Sequence, residues 1–166
     1  MHKALQLLIV LAVALAANPA AAHGDAHAKK SAAPAAQNEA EKSFGRTGNP
    51  KQVTRTIEVD MSDRMRFTPD SLSVRDGETV KFVVRNSGKI LHEFVLGSLS
   101  ELKSHAELMK KFPGMEHDEP YMAHVTPGKT ETIIWQFSKT GEFHFGCLLP
   151  GHFEAGMVGK INVTRR

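Results

Sequence analysis

Gly141-Glu142-Phe143-His144-Phe145-Gly146-Cys147-Leu148-Leu149-Pro150-Gly151-His152-Phe153-Glu154-Ala155-Gly156-Met157 is an alternating strand that runs into a loop. The loop is bracketed by a second strand candidate, Met157 to Val163. Its donors fall in the order Cys-x4-His-x4-Met, a thiol, an imidazole and a thioether on one short connection. Pro150-Gly151 is a turn signal inside it.

The same alternation extends outward from this loop. Thr130 to Phe137 reads as a strand, bounded by turns at Pro127-Gly128 and Lys139-Thr140-Gly141. Upstream, Val80, Phe82 and Val84 share one face, with Lys81, Val83 and Arg85 on the other. Leu72 and Val74 alternate with Ser71, Ser73 and Arg75. Val53, Ile57 and Val59 sit among polar residues, and Met65-Arg66-Phe67 leads into a turn at Thr68-Pro69-Asp70. Asp76-Gly77 reads as a hairpin turn, Asn86-Ser87-Gly88 as another turn, and Ile90 to Leu96 as a further strand. Seven or eight short strands with regular turns predict an all-β, Greek-key β-sandwich. One segment breaks the pattern. Ser98 with Glu101 forms a capping box ahead of Leu102, Ala106, Leu108 and Met109, which predicts a short amphipathic helix reaching Lys111. Phe112-Pro113-Gly114 ends it, and a loop runs to about His124.

The chain start reads as an address. Lys3 precedes an apolar run from Ala4 to Ala17, and Asn18-Pro19 then leads to Ala20-Ala21-Ala22, a small-residue cleavage signal. Residues 1–22 are therefore expected to be a secretory signal peptide, the mature protein to lack a membrane span, and the location to be the periplasm. Residues 23–50 are rich in Ala, Lys, Ser, Gln and Asn, and are expected to be a flexible lead. Residues 51–166 are expected to form the folded domain.

Composition narrows the chemistry. The chain has 166 residues with 41% hydrophobic and 23% charged, an ordinary globular mix. A net charge of +3 is too small and too scattered to indicate nucleic acid. The single cysteine excludes an intramolecular disulfide and any zinc site built from several thiolates. In an exported protein such a thiol is either buried and inert or occupied, and a metal is the plainest occupant. A second histidine, His92, lies upstream in Leu91-His92-Glu93-Phe94. One thiolate, two imidazoles and a thioether are the donor set of a mononuclear blue-copper site: a trigonal plane of two nitrogens and one sulfur with a long axial thioether. His144, alternating in the strand before Cys147, reads as a structural or supporting histidine.

With these residues quoted, the chain from about residue 53 to 164 resembles the cupredoxins, the plastocyanin and azurin relatives. The resemblance implies that His92, Cys147, His152 and Met157 are the ligands of one type 1 copper. In many of those proteins an Asn after the first histidine braces the ligand loop; here Glu93 stands in that place. The helix-and-loop insertion makes the chain most similar to the periplasmic copper-tolerance cupredoxins, the CopI group. That resemblance implies a protein that cycles Cu(I)/Cu(II) and contributes to copper tolerance. The alternative is an electron shuttle between respiratory partners, with a redox protein docking near His152 on a patch of Leu148, Leu149, Pro150 and Phe153. An enzyme is not expected, because a copper nitrite reductase or multicopper oxidase needs further copper centres and more domains.

Two other clusters could take additional copper. Cleavage after Ala22 would expose His23-Gly24-Asp25-Ala26-His27, whose α-amino group and imidazoles suit Cu(II). Met109, Met115, His117, Met122 and His124 offer thioethers and imidazoles around the insertion, set against an ordinary core and loop role.

Overall fold

A computed structural model of the chain describes residues 41–114 and 117–166. The signal segment, the lead up to residue 40 with His23, Asp25 and His27, and Met115 lie outside the described residues.

Ten strands and one α-helix follow in the order β1 (Arg46–Thr47), β2 (Arg55–Ser62), β3 (Arg66–Thr68), β4 (Ser71–Arg75), β5 (Thr79–Asn86), β6 (His92–Gly97), α1 (Leu99–Lys111), β7 (Met122–Val125), β8 (Thr130–Gln136), β9 (Gly141–Gly146) and β10 (Val158–Thr164). They make two five-stranded sheets, β1-β8-β5-β2-β3 and β4-β10-β9-β6-β7. Only β2–β3, β6–β7 and β9–β10 pair as sequence neighbours; the other pairings are crossovers, as a Greek-key sandwich requires. No helix among the described residues is long and apolar enough to cross a membrane.

The alternation places the core. Val80, Phe82 and Val84 of β5, Ile133 and Trp135 of β8, Phe143 and Phe145 of β9, and Ile161 and Val163 of β10 all point between the sheets and are buried. An aromatic stack fills the centre: Phe94 and Phe145 lie with ring centroids 5.0 Å apart, and Phe67 meets Phe145 edge-on at 5.0 Å. Offset and edge-on contacts of this kind add to the area burial itself. Gly159 is required beneath this stack, since a Cβ there would stand 2.2 Å from the Phe145 ring.

Three sequence expectations need correction. The Asp76-Gly77 turn joins β4 to β5, which belong to different sheets, so it is a corner and not a hairpin. The Asp76 N–H bonds to the Thr164 carbonyl in β10 and the Gly77 N–H to the Phe137 carbonyl just after β8, distant partners that local sequence does not reveal. The lead is also shorter than expected, because residues 41–50 join the fold. Phe44 is buried, stacks on Trp135 at 5.2 Å, and its carbonyl accepts the Trp135 indole N–H at 3.0 Å. Arg46–Thr47 then pairs with β8. Finally, Leu108 is 47% exposed, so the inner face of the helix is Leu102, Ala106 and Met109 alone.

The helix forms as its cap signal predicts. The Glu101 N–H donates to Ser98 Oγ while the Ser98 N–H donates to the Glu101 carboxylate. It covers the outer face of β6 with a second apolar cluster of Val95, Leu102, Ala106, Met109, Met122 and Leu148. That is why all six residues of β6 are buried, unlike a strand with one solvated face.

Candidate metal centre

β6 delivers His92 at its first residue, and the β9–β10 connection delivers Cys147, His152 and Met157. Among the described residues, His92, Cys147 and His152 are the one group of three His, Cys, Asp or Glu side chains whose donor atoms all lie within 4.8 Å. Cys147 Sγ stands 3.2 Å from His152 Nδ1, and the two imidazole rings are 5.2 Å apart. His92, Cys147 and Met157 are fully buried, and His152 is partly exposed.

The loop is tied on itself. The Cys147 N–H donates to the Met157 carbonyl at 3.1 Å, and the Met157 N–H to the His152 carbonyl at 3.0 Å. Arg66 of β3 fixes the loop's far side, donating from Nη1 to the Ala155 carbonyl at 2.8 Å. Gly156 follows at φ +90°, and a Cβ there would approach the same guanidinium at 3.1 Å.

Supporting residues orient the donors. Asp63 Oδ1 lies 3.1 Å from His92 Nε2, which leaves Nδ1 as the free nitrogen. Hydrogen bonds from the Lys89 N–H and His92 hold the Asp63 carboxyl below its ordinary range. Asn86 is fully buried, donating to the Ile90 and Val125 carbonyls and accepting the Gly88 N–H, which shapes the loop that enters β6. His92 Nδ1 is buried and has no hydrogen-bond partner. An orphaned buried nitrogen is costly, by about 1–3 kcal/mol, and a metal ion beside Cys147 and His152 would satisfy it. The donor set is soft and suits copper.

Glu93 is the structural surprise. Its carboxylate is 2% exposed, accepts the Leu148 N–H at 3.3 Å through Oε2, and meets His124 Nε2 at 3.0 Å through Oε1. Its own N–H donates to Cys147 Sγ at 3.3 Å. The residue in the Asn position therefore braces the ligand loop with a carboxylate. Burial pushes the Glu93 carboxyl up, against the pull of His124 and the Leu148 N–H. Glu93→Ala should destabilise the metal-free protein by about 1–3 kcal/mol, because it leaves the buried Leu148 N–H without its acceptor. Chemical denaturation checks this, and Glu93→Gln should recover most of the loss.

Burial pushes the Cys147 thiol up to about 12, so the metal-free protein holds this proton at neutral pH. Burial, followed by the nearby His92, holds His152 below the usual histidine range, leaving a neutral nitrogen donor. A metal must displace the thiol proton, so apparent affinity should fall about tenfold for each pH unit lowered. Competition titrations at pH 6, 7 and 8 measure this, together with one proton released per ion bound.

The remaining expected residues separate. Leu148 turns inward and is fully buried, so it does not belong to an open patch around His152, and Phe153 is half-buried against the helix cluster. Leu149 is half-buried and Pro150 exposed, and Ile90 and Leu91 before His92 are 43% and 37% exposed. Met109 and Met122 enter the apolar cluster under the helix, and His124 is held by Glu93. His144 is buried, 3.6 Å from Glu142, and joins no donor group of three. Asp63, Asn86 and Arg66 were not foreseen: each lies far from the loop in sequence, and none carries a spacing signal.

Residues 53–164 match the family model of copper binding proteins, plastocyanin/azurin family. The copper-resistant cuproprotein CopI of Rubrivivax gelatinosus is 50% identical over 141 residues, 85% of this chain and 82% of that protein. The protein of the same name from Pseudomonas aeruginosa is 34% identical over 149 residues, 72% of this chain and 82% of its own. Among solved structures, dithionite-reduced auracyanin from Roseiflexus castenholzii aligns with a TM-score of 0.58 at 20% identity, covering 68% of this chain and 98% of that one. That likeness concerns the fold.

Proposed function

Because the chain belongs to the plastocyanin/azurin family of copper binding proteins, we propose that it is a periplasmic type 1 copper protein contributing to copper tolerance. In this reading it is a binding and electron-carrying protein, not an enzyme. The observation that carries the reading is the buried, unpartnered His92 Nδ1 facing a cluster with Cys147 Sγ and His152 Nδ1. His92, Cys147 and His152 would hold the copper, with the Met157 thioether as a weaker fourth donor. Copper in such a site supplies one-electron exchange between Cu(I) and Cu(II).

The chain's own residues serve that exchange by staying still. The Cys147–Met157 and Met157–His152 backbone bonds, Asp63 on His92, and Glu93 beneath Cys147 hold the donors in one arrangement for both oxidation states. His152 is the partly exposed ligand, flanked by Leu149 and Pro150, and it is the natural exit for an electron.

The likeness to proteins named for copper resistance favours tolerance over a respiratory shuttle. Deleting the gene and challenging with copper tests this: growth should fail at lower copper than in the parent, and unchanged growth would refute it. The second reading, a shuttle, gains from exposed Ile90 and Leu91 beside the His92 end of the site. Rapid electron exchange with a periplasmic cytochrome would favour it.

Met157→Leu should keep copper at this centre while shifting its colour and raising its reduction potential. The thioether donates weakly to Cu(II), and an alkyl group does not. Spectroelectrochemical titration of the two proteins reads both changes.

A further inference from the structure

Histidine and sulfur donors meet a second time, away from Cys147. His105 and Met109 stand four residues apart on α1 and so share one helix face. The chain after the helix brings His117 against that face, its ring 4.8 Å from that of His105 and tilted by 31°. All three side chains line one cleft of about 450 Å³.

The cleft has the marks of a soft cation site. His117 Nδ1 is buried and has no hydrogen-bond partner, the same condition as His92 Nδ1 in the first centre. Burial, then the neighbouring His117, holds His105 below the usual histidine range, so it is a neutral donor at neutral pH. Among the described residues that line the cleft, Glu101 is the one charged side chain, and none is Lys or Arg. Met109 is nearly buried, which holds its thioether in place at the base of the helix cluster. Leu108, 47% exposed, forms part of the rim. His105 has no place in the Met/His cluster read from sequence; the helix turn is what joins it to His117.

We propose that His105, Met109 and His117 form a second metal site that takes Cu(I). Two imidazoles and a thioether without a carboxylate or thiolate ligand make a soft, neutral set, which favours Cu(I) over Zn²⁺ or harder cations. The choice of ion rests on the copper reading of the chain; the site itself rests on the geometry of α1 and His117.

The test is anaerobic Cu(I) titration of the purified protein against a chromophoric Cu(I) chelator. The double variant His105→Ala/His117→Ala should bind one Cu(I) fewer than the unmodified chain, while its sulfur-to-Cu(II) absorption stays unchanged. Equal Cu(I) capacity in the two proteins would overturn the site. Cys147→Ser should keep the Cu(I) that the histidine variant loses, so failure at one centre is distinguishable from failure at the other. If the double variant does not fold, the diamagnetic Cu(I) form of the unmodified chain is read by NMR. The His105 and His117 ring signals should shift as Cu(I) is added beyond the first equivalent. Unmoved signals would equally refute the proposal.

Discussion

Cys147→Ser should abolish the intense sulfur-to-copper absorption and leave a chain that folds but holds Cu(II) poorly. The serine hydroxyl is nearly the size of the thiol and can still accept the Glu93 N–H that now meets Sγ at 3.3 Å. Folding should therefore survive. The ligand chemistry does not survive, because an alcohol gives up its proton to a metal far less readily than a thiol and is not a soft donor. Losing a ligand outright should weaken copper binding by more than the roughly 10–100-fold typical of losing a supporting partner. Visible absorption and copper stoichiometry on the two proteins decide it. A retained band would remove Cys147 from the site.

Phe145→Ala should cost about 3–5 kcal/mol of stability, the usual range for emptying a buried aromatic position. Phe145 is fully buried, stacks on Phe94, meets Phe67 edge-on, and fills the space that Gly159 leaves open. On a domain of this size the melting temperature should fall by roughly 10–20 °C, read by thermal circular dichroism on the metal-free protein. A shift of about 2 °C or less would mean the two sheets are not held by this stack. Copper should raise both melting points, since it binds the folded chain.

These two residues also mark what is readable without coordinates. Phe143 and Phe145 alternate with Glu142 and His144, and period two is enough to send them inward. Cys147, His152 and Met157 are legible because three unusual donors crowd one loop, and His92 becomes legible once they do. The helix announces itself through Ser98 and Glu101, whose bonds are local.

What escapes is long-range. Asp76-Gly77 has the local chemistry of a hairpin, but its amides bond to β10 and to Phe137, which sends the chain to the other sheet. Phe44 is a lone aromatic in a polar stretch, and only Trp135 on β8 gives it a place. Glu93 is visible as a departure from the related proteins; that its carboxylate reaches both Leu148 and His124 depends on the helix layer packed over β6. Asp63 orients His92 from a turn 29 residues earlier.

The most direct test of the copper assignment is the visible and electron paramagnetic resonance spectrum of the Cu(II)-loaded protein, with metal counted. A thiolate and two imidazoles around one ion should give intense sulfur-to-copper absorption and a Cu(II) signal that both vanish on reduction. Weak absorption alone, with Cys147 still free to react with a thiol reagent in the loaded protein, would contradict it.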